Sequence, residues 1–336
     1  MDALSDVLKA VQLSGAVYLN AEFRAPWCVI SQADSELCAA YLPPSDRVVS
    51  YHLVVEGQCQ AGLAADRDTV LPVRRGELLV VPQGEDHLLG SSLDVPPVPG
   101  ASMLAAKVSA APGDVMQVAW GGDGEITRLI CGFLTCDGAL SNPLLASLPR
   151  LFKVDVGSGV EWTWLRSTLA FAASEAAIPR AGTATVLAKL SELLFVQAIR
   201  HCVNSLPHNR SGWLTALHDR FVGPAMLRLH AEPARAWTVD ELAQDVGLSR
   251  SAFAQRFSAL LGQPPMQYLA HWRLHLAARE LRLGRKSLAE VALGAGYDSE
   301  PAFSRAFKRE FGLPPASWRS SRRNDDAAGI ADSGLH

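Results

Sequence analysis

The apolar positions change period along the chain. Up to about residue 140 they come in short runs, VVSYHLVVEG and GELLVVP among them, separated by Gly and Pro. Runs of this length, bounded by turn formers, predict strands. SSLDVPPVPGAS reads as a Pro-rich loop and TRLICGFLTCD as one more strand. From about Asn142 the apolar residues fall three and four apart, the spacing of one helix face. EWTWLRSTLAFAASE and TATVLAKLSELLFVQAIRHC both read this way, with Val186, Leu190, Leu193, Leu194, Gln197 and Ile199 fitting a largely buried helix in the second. SGWLTALHDRFVG predicts a short helix stopped by Gly223-Pro224.

From Pro224 to Arg323 the pattern is helical and punctuated by caps. Thr238 with Glu241, and Ser287 with Glu290, have the spacing of capping boxes. Ser249 and Ser299 are natural N-caps, and Pro301 falls in a first turn, where a missing N–H costs little. The stretch SRSAFAQRFSALLGQPP, from Ser249, returns fifty residues later as SEPAFSRAFKREFGLPP, from Ser299. Phe253 and Phe257 match Phe303 and Phe307, each pair on one helix face. Gly247 and Gly296 precede them in short turns, so each copy is capped helix, Gly turn, capped helix: the grammar of a helix-turn-helix. Between the copies, Met266, Leu269, Trp272, Leu276 and Leu283 suit one long connecting helix closed by Gly284.

If the Phe pairs face a core, the outer faces follow. They are Arg250, Ser251, Ala254 and Gln255 in the first copy, and Glu300, Pro301, Ser304 and Arg305 in the second. These sit near helix N-termini, the part that reaches base edges in a major groove. Arg can bridge guanine and Gln can bridge adenine. Arg256, Lys308 and Arg309 are placed to neutralise phosphates.

Charge agrees with that division. The net charge is −3, but residues 1–223 hold 16 basic against 22 acidic residues, while residues 224–323 hold 15 against 9. A basic module on an acidic body suggests an end that binds nucleic acid. No charge-free run exceeds 12 residues, short of a membrane helix, and an N-terminus carrying Asp2 and Asp6 lacks the basic start of a secretory signal. A cytoplasmic protein with reduced thiols at its 6 Cys is expected.

Residues 224–320 resemble the DNA-binding domain of the AraC/XylS family of bacterial transcription regulators. WTVDELAQDVGLSRSAFAQRF is similar to that family's first helix-turn-helix, and VALGAGYDSEPAFSRAFKREFGLPPASWR to its second. The resemblance implies sequence-specific binding to double-stranded promoter DNA, and RNA polymerase as a partner if the protein activates. It places base contacts on Ser251, Ala254, Gln255, Glu300, Pro301, Ser304 and Arg305. No catalytic residues are expected.

GELLVVPQGEDH, from Gly76 to His87, fits the second cupin motif. The first would supply two His and a Glu; YHLVVEG offers His52 and Glu56, with Val54 where a ligand is wanted. Residues 1–220 resemble the cupin-like sensor domain of one AraC-family subgroup, through YHLVVEG, NPLLASLP and ELLFVQAIR. The expected architecture is α+β and multidomain: a cupin-like β jelly roll at 1–140, and a helical linker open to dimerisation at 141–223. An all-α DNA-binding domain at 224–323 follows, with helix-turn-helix motifs at 238–261 and 287–311, and then a disordered tail at 324–336. His52, His87, Cys131 and Cys136 are the candidate effector or redox residues. No cofactor is expected, though a metal at His87, Cys131 and Cys136 is an alternative. Other readings are thiol-based stress sensing, a metal-dependent cupin enzyme fused to a DNA-binding domain, and an architectural DNA-binder with an inert N-terminal domain.

Overall fold

The computed structural model describes residues 14–32, 47–105, 115–136, 144–156, 171, 181–205 and 212–320. They form two compact units, one of residues 14–136 and 148–205, the other of 144–147 and 212–320. The predicted tail, Cys38 and most of EWTWLRSTLAFAASE lie outside the described residues.

The first unit is a β-sandwich, the jelly-roll architecture expected. One sheet is built from β1 (Ser14–Arg24), β3 (Arg47–Glu56), β6 (Glu77–Val81), β9 (Met116–Gly121), β10 (Ile126–Cys136) and β11 (Phe152–Asp155), in the order β11-β6-β3-β10-β1-β9. The other is built from β2 (Cys28–Ser31), β4 (Gln58–Leu63), β5 (Asp66–Arg74), β7 (His87–Gly90) and β8 (Val98–Pro99), in the order β5-β4-β7-β2-β8. Period-two alternation turns Leu19, Ala21 and Phe23 of β1, Leu129, Cys131 and Phe133 of β10, and Cys59 and Ala61 of β4 into one apolar core.

Two expectations change here. The sheet does not end near residue 140: β11 pairs antiparallel with β6, Phe152 opposite Val80. SSLDVPPVPGAS is not all loop, since β8 and a short helix, α1 (Gly100–Ala105), take up its second half.

The outer face of the larger sheet is also buried at its centre, where Tyr51, Leu53, Leu78 and Val80 are covered. The cover includes α2 (Thr183–Ser205), which packs on β1. Its buried stripe is Leu187, Ser191, Leu194, Phe195, Ala198, Ile199 and Cys202; Leu193, expected inside, is exposed. A polar contact fixes the register. The Ser191 hydroxyl donates to its own helix at Leu187 O (2.8 Å), so the Tyr51 hydroxyl, 2.5 Å away, donates to Ser191 Oγ. Gly15 lets the helix come this close: a Cβ there would lie 2.7 Å from Ala188 O and 2.8 Å from Ser191 Cβ.

The second unit is helical: α3 (Trp213–His218), α4 (Val222–Ala231), α5 (Val239–Asp245), α6 (Arg250–Leu261), α7 (Pro265–Leu283), α8 (Leu288–Gly294) and α9 (Glu300–Phe311). Both capping boxes form. Thr238 Oγ1 accepts from Glu241 N and Ser287 Oγ from Glu290 N, each at 3.2 Å, and both glutamates bond back to the cap N–H. Ser249 and Ser299 cap α6 and α9. Gly247 and Gly296 turn the chain between paired helices at φ 73° and 74°, where a side chain would be strained. Gly223-Pro224 does not stop a helix but lies in the first turn of α4, where proline's missing N–H costs little. The helical unit therefore starts before residue 224.

Phe253, Phe257, Phe303 and Phe307 are fully buried, in two separate cores. The long helix α7 serves both. Its first half sends Tyr268 edge-on to Phe257 (5.6 Å between centroids) and Trp272 to stack on His230 (4.2 Å). Its second half packs Leu274, Ala277, Ala278 and Leu281 against Val291, Phe303 and Phe307. The connecting helix closes at Gly284 as expected, but not the whole expected stripe is inside: Leu276 is half-buried and Leu283 exposed.

Gly15→Ala is expected to destabilise the sandwich unit by about 1–3 kcal/mol, the usual cost of overpacking. Denaturant unfolding followed through the full-length chain measures it; an unchanged midpoint would mean α2 shifts without cost.

Candidate functional site

At roughly 100° of turn per residue, position along a helix sets direction relative to the buried Phe pair. Gln255 on α6 and Arg305 on α9 stand opposite the core, and both are exposed. Ser251 and Pro301 lie beside them, one turn nearer the N-terminus, and are also exposed. Ala254 and Ser304 are on the flank and half-buried. Lys308 and Arg309 extend the exposed basic face of α9 toward its C-terminus. Arg250 and Glu300, the first residues of their helices, are exposed but nearer the core side, and Arg250 pairs with Asp240 at 3.3 Å.

Arg256 differs from the other basic candidates. Its guanidinium forks onto Asp219, with Nε at 3.0 and 2.9 Å from the two carboxylate oxygens and Nη2 at 2.5 Å. Asp219 Oδ1 also accepts from the N–H groups of Phe221 (3.0 Å) and Val222 (2.9 Å), so one carboxylate holds both the start of α4 and the side of α6. Burial opposes the charge, yet Arg256 and those N–H groups hold the carboxyl below its ordinary value. Sequence reading missed Asp219, whose partner is 37 residues away.

In the sandwich, His52 on β3 and His87 on β7 meet across the two sheets, Nε2 to Nε2 at 2.7 Å, both buried. Cys131 is His52's register partner on β10. Cys136 ends the same strand five residues on, roughly 17 Å away at the strand's rise, too far to share a ligand with Cys131. The proposed His87–Cys131–Cys136 site is therefore not assembled.

A cupin metal centre does not fit these residues either. Val54 is buried in the core, and Glu56 is exposed at the strand end, paired with Arg128, which also bonds Glu22. Among the described residues no group of three or more His, Cys, Asp or Glu could hold a metal ion. Thiol chemistry is disfavoured at Cys28, Cys59 and Cys131. Burial pushes the Cys28 and Cys131 thiols up and Cys59 to about 12, so they stay protonated and inert. His52, Cys131 and Trp27 instead line a cavity between the sheets, whose wall is mostly apolar but includes Ser31 and Gln32.

Two helix-turn-helix motifs packed on one connecting helix define a DNA-binding module, joined here to a cupin sandwich. Comparison with known proteins agrees. Residues 2–204 match the cupin family model and residues 242–321 the helix-turn-helix domain model. An AraC-like transcription regulator of Streptomyces lividans is 33% identical over 95% of this chain and 98% of its own. The transcriptional regulator AlkR of Acinetobacter baylyi is 27% identical, over 95% of this chain and 99% of its own. The RCS-specific transcriptional activator RclR of Escherichia coli is 26% identical, over 96% and 99%. The chain belongs to the AraC-type transcription regulators with an N-terminal cupin domain. Those relatives are regulators rather than enzymes, and this protein is a DNA-binding transcription regulator. No helix among the described residues is long and apolar enough to cross a membrane.

Removing the Asp219 carboxylate takes away a helix-start bond and the Arg256 fork together. Asp219→Ala is expected to cost about 1–2 kcal/mol at neutral pH, on the scale of a lost N-cap. A carboxyl held below its unfolded value stabilises above that value and loses the contribution as pH falls through the folded one. The gap between wild type and variant should thus close in acid, which urea unfolding at pH 7 and at stepwise lower pH measures.

Proposed function

We propose that α6 and α9 are two recognition helices that enter successive major-groove segments of one promoter site. The observation that carries this is the double use of α7, which packs into both Phe cores and so fixes the separation of the two readers. At 1.5 Å per residue its 19 residues span about 28 Å, comparable with the ~34 Å between successive major-groove positions when tilt and DNA bending are allowed.

Within each reader the direction of the side chains divides the work. Gln255 and Arg305, opposite the core, face base edges with Ser251 and Pro301 beside them. Ala254, Ser304, Arg250 and Glu300 form the border of the same face, and Pro301 and Ala254 offer only apolar contact. Lys308 and Arg309 neutralise phosphates, and Arg256 does so only by sharing its charge with Asp219. The cupin domain is the sensing part: its buried cavity, rather than a metal or a reactive thiol, takes a small effector.

Arg305→Ala and Gln255→Ala are expected to relax base preference at one position each, by about 1–3 kcal/mol. Lys308→Ala should weaken binding to all sequences alike and flatten the salt dependence by about one ion. Selection of binding sites with each full-length variant tests this. Unchanged preference in the first two would show that another face meets the bases.

On a promoter fragment the wild-type chain should protect two major-groove segments about one helical turn apart on one DNA face. Protection of one segment per chain would make the second copy structural.

A further inference from the structure

Arg273 stands on α7 where the helix passes from one Phe core to the other, between Trp272 and Leu274. It is half-buried; burial lowers its pKa, and no carboxylate offsets that. Its donors go to backbone instead. Nε donates to Pro233 O (2.6 Å) and Nη2 to Arg235 O (2.7 Å). Those carbonyls lie in the turn that joins α4 to α5. The turn is firm in itself: Trp237 N also donates to Arg235 O (2.8 Å), and the Trp237 indole donates to Glu232 O (3.0 Å). Thr238, the cap of α5, follows directly, and α5 packs on the first reader, α6.

The same guanidinium meets the second motif. A Cβ built on Gly296, in the turn between α8 and α9, would lie 3.0 Å from Arg273 Cζ and 3.2 Å from both Nε and Nη2. An approach in the plane of the group would meet nitrogen before carbon, so that point lies over the flat face. Only a missing Cβ leaves room for the guanidinium there. Nearby the motifs do not fill the space between them. A cleft of about 210 Å³ is walled by Pro233 before the first motif, by Val291 and Ala295 of the second, and by Leu276 and Ala277 of α7.

We propose that Arg273 is a positioning residue for DNA recognition: it ties the turn entering the first motif to the inner turn of the second, and so fixes the spacing of the two readers without meeting DNA itself. A shared helix sets where each motif sits along its axis. A tie off that axis also sets the rotation of one motif against the other. Arginine suits both parts of the tie, since lysine has neither the fork nor the flat face. This inference rests on the reading of α6 and α9 as two readers and adds what sets their mutual position.

Binding sites are selected from random DNA with the full-length wild type. The selected site is then compared with sites whose two segments stand one base pair closer or farther, a shift of about 3.4 Å. Affinities of wild type, Arg273→Met and Arg273→Lys are measured by fluorescence anisotropy at several salt concentrations. Wild type is expected to lose about tenfold or more for either shift. In both variants the penalty should fall to within about threefold, while base preference inside each segment and the salt slope stay as in wild type. Methionine removes the charge and lysine keeps it, so agreement between them assigns the effect to the fork. A wild-type penalty retained in both variants overturns the proposal and leaves the two readers standing. A salt slope lower by about one in Arg273→Met and restored in Arg273→Lys makes the residue a phosphate contact, which also overturns it. No spacing penalty in wild type overturns this proposal and the two-reader model together. If Arg273→Met does not fold, the spacing penalty of Arg273→Lys decides.

Discussion

The helical unit depends on one sharing: two aromatic cores have a single helix in common. Each core is built around a Phe pair with aliphatic and aromatic partners. Running α7 through both lets each gain from the other's packing. It also removes the freedom that a loop would give the two halves. The side-chain order along α7 does this, with Tyr268, Leu269 and Trp272 committed to one core and Ala277, Ala278 and Leu281 to the other. In the second half small and large residues alternate, with Ala277 and Ala278 between Leu274 and Leu281 in the cluster that holds Phe303 and Phe307.

What could be read in advance follows the range of the forces involved. Caps, Gly turns and the ends of α7 are decided within a few residues, and Thr238–Glu241, Ser287–Glu290, Ser249, Ser299 and Gly284 all stand where their chemistry puts them. The Phe pairs are legible for the same reason, since i and i+4 share a face in any helix. The sandwich was legible as a class, through its short apolar runs. Its edges were not. FKVD is a strand only because Glu77–Val81 needs a neighbour, and nothing local in four residues says so.

The cavity was out of reach for a related reason. His52 and His87 are 35 residues apart, on strands of different sheets, and each motif reads separately as half of a metal centre. Only the fold shows the two imidazoles spending their facing nitrogens on each other. Glu56 fails as a ligand through a register shift between Arg128 and Leu129 that no pattern of apolar residues signals. Tyr51 and Ser191 meet across 140 residues in the same way.

Asp219 and Arg256 have a consequence for ion exchange at the DNA surface. A free arginine that settles on a phosphate displaces a condensed cation from the duplex, and that release drives binding. Arg256 already has a resident anion. To serve a phosphate it must loosen a bidentate partner that also anchors the start of α4, so its gain is an exchange of one carboxylate for one phosphate. Part of the basic charge of α6 is thus internally compensated. The two halves of the repeat, alike in backbone, differ in how their basic charge is held: in the first, Arg256 is tied to a carboxylate that also anchors a helix start, and in the second Arg305, Lys308 and Arg309 all stand exposed to solvent.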